Sequence, residues 1–514
     1  MRYLLALMGL AFALIITACG GHNQDVIQQI TTPQSIDEVL AITNTRREIT
    51  HEPDIDRLHA LIAGHNPHSI DWTRFINDTE QEMITREEAE YDAKALFELF
   101  RYAYGAYNYF GGDEVFLPAL DDVLQAIAIR WEGRELWYAA ALSQILWEKI
   151  PPVIADNHLM IAGWRPFAVS NYFVWDAPFD RSENDFRKRD TGLYVTNIEG
   201  YDKDALFRLT MNDEGEFFYT AVVVKLVRPG IEEVNYSLNV TFDDGTSTTI
   251  NLTAKPFTPS FTWTNTSWRN HSLRFINDIP IVSIRSMNNP LQSHAHDYRY
   301  AQLVLSFAED LRDEPVVIID LRGNEGGHLI LNKMFLHALL GEVVPSNHVN
   351  IGTVSNAYTE SWIELPPSAN PPQSWGSIDD IDDYYFPHDI YDLYFPKTAF
   401  GNYHFIYSPI TRIVPSDRLI ILLVDRGTAS AGEDLTFRVL NIENTLVIGE
   451  NTMGNHLTTN NRNLYLPYSG MPVVISPGLL VHPQGHWQEG IGIAPDIWVI
   501  GDALTAALAM LENQ

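Results

Sequence analysis

A chain of 514 residues with 46% apolar and 11% aromatic residues is too apolar to be disordered and long enough to bury more than one core, so roughly two or three globular domains are expected. Its 66 acidic against 34 basic residues give a net charge of −32, and such a surface repels phosphate backbones, which excludes nucleic acid as a partner.

The N-terminus reads as an export signal: Arg2, an apolar run over 4–16, then Thr17-Ala18-Cys19-Gly20. That run is too short for a comfortable membrane span. Ile16-Thr17-Ala18-Cys19 resembles a bacterial lipobox, which implies a signal peptide over 1–18, lipid attachment at Cys19, and an exported protein of the cell envelope that meets the membrane through its lipid anchor. A plain cleaved signal, or a buried apolar helix with an incidental cysteine, is the alternative. Cys19 is also the single cysteine, so no intramolecular disulfide can form.

Residues 19–35 are polar and predict a tether. Over 36–165 apolar residues recur at spacings of three and four, as in Ala93-Leu96-Phe97-Leu99-Phe100 and Leu120-Val123-Leu124-Ile127, and predict a helical N-terminal or cap domain. Over 166–270 the period changes to two, with β-rich runs at 219–226 and 236–242 and a turn signal at Asp243-Asp244-Gly245. From 271 to 514 strands near 279–284, 316–319, 419–424 and 446–448 alternate with helical segments near 298–311, 330–340 and 431–442, which predicts an α/β core with a largely parallel sheet. An insert at 345–412 interrupts it and carries Asp379, Asp380, Asp382, Asp383, Asp389 and Asp392; the spacing is not that of an EF-hand loop and reads as a solvated, substrate-side segment.

The run Asp425-Arg426-Gly427-Thr428-Ala429-Ser430-Ala431-Gly432-Glu433-Asp434 places one small-flanked serine directly after an apolar strand and before a helical pattern. A helix there would aim its N-terminal amides at negative charge on a reacting centre. The bland reading is a serine helix cap. Three further elements stand around it in order: Asp320-Leu321-Arg322-Gly323-Asn324-Glu325-Gly326-Gly327, Gly449-Glu450-Asn451-Thr452-Met453-Gly454, and Glu489-Gly490-Ile491-Gly492-Ile493-Ala494-Pro495-Asp496. Together they resemble the C-terminal processing (tail-specific) serine peptidase family, whose core reads roughly DLRxNxGG, SAxE, GExTxG and EGxGxxPD. The resemblance covers 270–500 and implies a ClpP/crotonase-like α/β catalytic core with an N-terminal helical domain and a β-rich insert domain. In that family a PDZ-like module often occupies the β-rich region; no clear carboxylate-binding loop stands in this sequence, and a generic β-insert is the better expectation.

One departure selects the branch. Tail-specific proteases follow GExTxG with a lysine as general base, and here that position is Asn455, followed by His456. Asparagine cannot take a proton from serine, so a Ser-Lys dyad is excluded at this spacing. The sister branch, which resembles the tricorn protease core, takes a histidine from the cap region, and Asp156-Asn157-His158 is similar to its D-x-H-T element.

That resemblance implies Ser430 as nucleophile, His158 as base, Glu489 acting at a distance, and Asn157 as the bridge where the branch has a serine. His456 and His328 are rivals for the base among seventeen histidines; His456, one residue beyond the lysine position, should point elsewhere. Ala431 N–H and one N–H of the Gly326-Gly327 turn would form the oxyanion hole, with Asp320, Arg322 and Asn324 holding that turn. Ala431 also lacks the acidic group that, in tricorn-like enzymes, favours basic substrate side chains. The expected partner is a peptide or unfolded protein, with no metal or organic cofactor. An inactive relative that binds peptides in the envelope, and a hydrolase acting on a non-peptide ester or amide, are the competing readings.

Overall fold

Strands buried on both faces need apolar side chains at nearly every position, and Val316–Asp320, Leu419–Val424 and Thr445–Gly449 meet that demand. The computed structural model describes residues 32–47, 54–61, 71–166, 169–182, 185–227, 235–255, 271–287, 298–327, 329–342, 344–346, 348–353, 397–400, 403–407, 413–459, 461–482, 487 and 489–513, and within them these three strands lie side by side in a 14-stranded sheet. Cys19 with the export signal, most of the tether, His328 and the acidic cluster 379–392 lie outside the described residues.

The parallel part runs Ile279–Ser283, Val316–Asp320, Leu419–Val424, Thr445–Gly449, Ile497–Val499 and Phe207–Met211 in that spatial order. Alternate side chains feed two layers. Val317, Ile319, Ile420, Leu422 and Val424 pack with helices Tyr298–Asp310, Leu329–Leu340 and Ala431–Val439, while Ile318, Ile421, Leu423 and Ile448 pack with helices Ala503–Glu512 and Ile36–Arg47. The helix Ile36–Arg47, expected at the start of the cap, is thus part of the core, because Ile36 and Val39 complete its second layer.

The expected α/β core is present, but the sheet as a whole is mixed. Beyond Phe207–Met211 the strands Phe217–Val227, Val169–Val174, Ser247–Lys255, Asn235–Phe242, Tyr194–Ile198, Asp185–Lys188 and Phe179–Ser182 pair antiparallel in that order. Phe179 then pairs back with Tyr219, so these strands close on one another around Phe173, Phe186, Phe207 and Val240. Closure leaves no long free edge. The β-rich region is therefore continuous with the core sheet, joined through Phe207–Met211 and Phe217–Val227. The tether's last residues are held as well: Thr32 N–H donates to Arg181 O at 3.2 Å, and Arg181 N–H donates to Thr32 Oγ1 at 2.7 Å.

The cap helices Arg86–Ala103, Asp113–Arg130 and Ala139–Lys149 bury Leu96, Phe100, Phe116, Ile127 and Leu142. Thr85 and Glu88 form a capping box that starts the first of them. Their core also takes Leu464, Leu466, Val473 and Ile475 from the hairpin Arg462–Tyr465 and Pro472–Ile475, which lies just beyond the Ser430 region in sequence. Asp92, fully buried in the first cap helix, accepts the N–H groups of Tyr468 and Ser469 at 2.8 and 2.7 Å. Met160–Ile161 adds a third strand to the same hairpin. This docking carries residues 156–158 from the cap to Ser430.

Candidate active site

Ser430 sits at the N-cap of helix Ala431–Val439 with φ 52° and ψ −115°, a left-handed conformation rarely adopted outside glycine and one that strained functional turns favour. The turn is held from both sides. Thr428 Oγ1 donates to Leu321 O at 3.0 Å, Ala429 N–H donates to Asn324 O at 2.8 Å, and Ser430 N–H donates to Asn455 O at 3.0 Å. Glu433, one helical turn into the helix and fully buried, accepts Ser430 N–H at 3.1 Å, Thr452 Oγ1 at 2.6 Å and the N–H groups of Gly454 and Asn455 at 2.8 Å each. Burial pushes its carboxyl up to about 7, against the pull of those four donors. Asn455, at the position where the tail-specific pattern has a lysine, contributes its main chain to this turn.

The neighbouring turn behaves as expected of a scaffold. Asp320 is fully buried between Arg285 and Arg322, with carboxylate–guanidinium distances of 2.7 and 2.9 Å. Burial alone would raise this carboxyl, but the two guanidinium groups outweigh it and hold it at about 2. Asn324 donates to Ile284 O and accepts Gly326 N–H, both at 2.8 Å. A Cβ on Gly326 would stand 2.6 Å from Ser430 Cβ and 2.8 Å from Ala431 N, so only glycine allows this approach. The Gly326 N–H is committed to Asn324, whereas neither Gly327 N–H nor Ala431 N–H meets an acceptor among the described residues.

His158 arrives from the cap with Nε2 3.1 Å from Ser430 Oγ, across 272 residues of sequence. His456 does not compete for that hydroxyl: its Nδ1 lies 3.2 Å from the Ser430 carbonyl oxygen. Burial lowers the His158 imidazole below its usual value; the Asp156 carboxylate works against that and Arg165 adds to it. His158 Nδ1 has no hydrogen-bond partner among the described residues.

Two carboxylates lie near it. A ring nitrogen of His158 and one oxygen each of Asp156 and Glu489 are all within 4.8 Å of one another. Asp156, fully buried, accepts His158 N–H at 2.8 Å, Tyr104 OH at 2.6 Å and Thr458 Oγ1 at 2.9 Å. Glu489 Oε1 accepts the main-chain N–H of Asn157 at 3.1 Å, and Oε2 accepts from His456 N, Leu457 N and Trp487 Nε1 at 3.2, 3.0 and 2.9 Å. Glu489 and Asn157 are thus brought together, but through Asn157's main-chain N–H, where the resemblance implied its side-chain amide. Burial and the nearby Asp156 raise the Glu489 carboxyl well above its usual value. These oxygens already receive N–H and O–H groups, several of them main-chain, so the donor set fits hydrogen-bonded carboxylates and not a cation cage.

Asp156 is the site residue that the motif contained but to which sequence reasoning assigned no role. Its signal is the i to i+2 carboxylate-to-amide contact that aspartate makes in a turn, visible in Asp156-Asn157-His158. Glu433 had a signal too, in its spacing of three from an N-cap serine.

An elbow serine with a histidine at hydrogen-bond distance, two N–H groups beside it that meet no acceptor among the described residues, and a buried carboxylate behind defines a serine-hydrolase type of site. Residues 278–499 match the family model for peptidase family S41, a span that contains Ser430, Glu489, Gly326 and Gly327 but not His158. No curated protein matches the chain. In structure the chain is similar to mature CPAF, at 12% identity over 83% of this chain and 95% of that one with TM-score 0.39. It is also similar to the photosystem II D1 C-terminal processing protease, at 13% identity over 80% and 93% with TM-score 0.33, and to the tricorn protease, at 12% identity over 84% and 37% with TM-score 0.34.

Proposed function

We propose that this protein is an exported, lipid-anchored serine peptidase that hydrolyses peptide bonds in peptides or unfolded proteins, with Ser430 as nucleophile and His158 as base. The observation that carries the reading is the 3.1 Å approach of His158 Nε2 to Ser430 Oγ. In this mechanism the proton of neutral His158 resides on Nδ1, leaving Nε2 to take the Ser430 hydroxyl proton as Oγ attacks the carbonyl carbon. The oxyanion that forms is received by the N–H groups of Ala431 and Gly327 at the positive end of helix Ala431–Val439. His158 then gives its proton to the departing amine, and the same nitrogen removes a proton from the water that cleaves the acyl-enzyme.

Asp156 is the charged partner of the imidazolium in this scheme. Glu489 holds the Asn157 main chain and the 456–457 strand entry in place, which makes it a positioning residue. Tyr104, kept protonated by burial and by Asp156, serves as a permanent donor to that carboxylate. The chemistry needs no metal. Anchoring through Cys19 rests on the lipobox-like Ile16-Thr17-Ala18-Cys19.

The test is Ser430→Ala against wild type, with hydrolysis of an unfolded protein and labelling by a fluorophosphonate as readouts. Activity should fall by several orders of magnitude with the fold retained, since nucleophile and base act as a unit. Equal turnover by the variant would remove Ser430 from the mechanism. A folded wild type that neither cleaves nor labels would favour a peptide-binding relative.

A further inference from the structure

Beside the nucleophile lies a second set of buried polar groups that the mechanism does not use. His456 Nδ1 is 3.2 Å from Ser430 O, His456 Nε2 is 2.9 Å from His348 Nε2, and Ser346 Oγ is 2.8 Å from His348 Nε2 and 3.1 Å from its Nδ1. All three side chains are buried, and the two rings are boxed in by Phe437 and Trp487, with ring separations of 4.7 to 5.7 Å. Asp434 Oδ1 stands 3.4 Å from His348 Nε2 and is itself paired with Arg438 at 2.8 Å. Asn332 Nδ2 ties that carboxylate to the helix start, donating to Asp434 Oδ2 and to Ala431 O at 2.9 and 2.7 Å.

Proton positions follow from the chemistry of the groups. A carbonyl oxygen only accepts, so His456 must carry its proton on Nδ1. Burial lowers both imidazoles, so each is neutral and has one N–H. His456 Nε2 is then a bare acceptor, which requires the proton of His348 to be on Nε2; Ser346 Oγ lies beside both ring nitrogens of His348, and Nδ1 is the one that can accept its proton. The Asp434 carboxylate, near the same Nε2–H, favours that tautomer. The links from His348 to His456 and from His456 to Ser430 each have one donor and one acceptor, and the chain of bonds ends on the nucleophile's own carbonyl.

We propose that His456 and His348 are positioning residues for Ser430: a chain of neutral imidazoles with fixed tautomers, starting at Ser346, that holds the Ser430 peptide in the left-handed conformation its hydroxyl and the Ala431 N–H require. This rests on the reading of Ser430 as nucleophile. The carbonyl also accepts helix N–H groups from Glu433 and Asp434, at 2.9 and 3.0 Å, and these fix the helix start. His456 approaches the same oxygen from outside the helix and so fixes the turn relative to the 454–457 segment, whose main chain is bound by Glu433 and Glu489. The lysine position of the tail-specific pattern is Asn455 here, and the residue that follows it, His456, takes hold of the serine's main chain.

Two substitutions separate this role from plain packing. Asparagine puts an amide nitrogen where imidazole Nδ1 sits and can still donate to Ser430 O; glutamine reaches the Nε2 position and cannot. In the full-length protein, His456→Gln should lower kcat about tenfold or more with KM unchanged, the cost of one buried hydrogen bond in a strained turn, while His456→Asn recovers most of that loss. Equal loss in both, or better activity in the larger glutamine, would reduce His456 to a filler between Phe437 and Trp487 and overturn the proposal. Long-range 15N–1H NMR of histidine-labelled wild type reads the tautomers without any variant: His456 protonated on Nδ1 and His348 on Nε2 are expected, and the opposite tautomer of His456 refutes the chain. A wild type that a fluorophosphonate does not label would instead refute Ser430 as nucleophile, and the tautomers would still be read.

Discussion

Replacing Asp156 by asparagine isolates the charge behind His158 from the hydrogen bonds around it. In the wild type Oδ1 must be an oxygen, because it accepts His158 N–H; the amide nitrogen of asparagine therefore goes to the Oδ2 side, where it faces the hydroxyls of Tyr104 and Thr458. Hydroxyls can accept as well as donate, so the main loss to the fold is the acceptor of the Tyr104 proton, about 1 to 3 kcal/mol. The loss to catalysis is larger. The imidazolium formed during acylation has the Asp156 charge within 4.8 Å. At an effective dielectric constant of about 20, a unit pair at that separation is worth about 3 kcal/mol. That corresponds to on the order of a hundredfold in kcat. Because Asp156 raises the His158 pKa, its removal lowers it: the acid limb of the kcat/KM profile, which lies below the usual value of about 6.5 in the wild type, should move to still lower pH. Hydrolysis of a fluorogenic peptide from pH 4 to 8, with thermal unfolding in parallel, measures both effects. A variant with kcat within about threefold of wild type and an unmoved acid limb would mean that Asp156 only buttresses the turn.

Glu433→Gln, measured at pH 8 where a carboxyl with a pKa of about 7 is ionised, removes an acceptor whichever way the amide is turned: toward Thr452 and Gly454 it orphans the Gly454 N–H, and toward Asn455 and Ser430 it opposes two N–H groups. A loss of about 1 to 3 kcal/mol in denaturant unfolding is expected, with slower fluorophosphonate labelling, and unchanged values of both would show that the carboxylate does not hold the Ser430 turn. For the N-terminus, Cys19→Ser should move the protein out of the membrane fraction and abolish labelling by an acyl-chain probe. Wild type that takes up no probe yet stays with the membrane would point to a different anchor.

Much of the core was legible in the sequence because central parallel strands must be apolar along their whole length: Val316–Asp320, Leu419–Val424 and Thr445–Gly449 declare themselves without reference to any partner. Ser430 and the Gly326-Gly327 turn were legible for a related reason, since close approach of two turns leaves room for small residues only: a Cβ on Gly326 would stand 2.6 Å from Ser430 Cβ. The cap helices showed their period of three and four, and the β-rich region its period of two.

Periodicity, however, tells which face of an element is apolar and not what will cover it. That Ile36–Arg47 lies beneath the core sheet, that the β-rich strands close on themselves and continue that sheet, and that the cap docks on the hairpin after Ser430 were decided by packing over hundreds of residues. The site depends on the same docking: the 3.1 Å contact of His158 with Ser430 exists because Asp92 and the cap core seize that hairpin. Hydrogen-bond direction was equally out of reach of the sequence, since a motif letter does not say whether a residue acts through its side chain or its backbone. Asn157 was singled out for its amide and meets Glu489 through its main-chain N–H; of two adjacent glycines, Asn324 occupies the N–H of Gly326 and leaves that of Gly327; and His456, suspected as a base, turns to the carbonyl of Ser430 because His348 and the main-chain anchors at Glu489 fix where its ring can go.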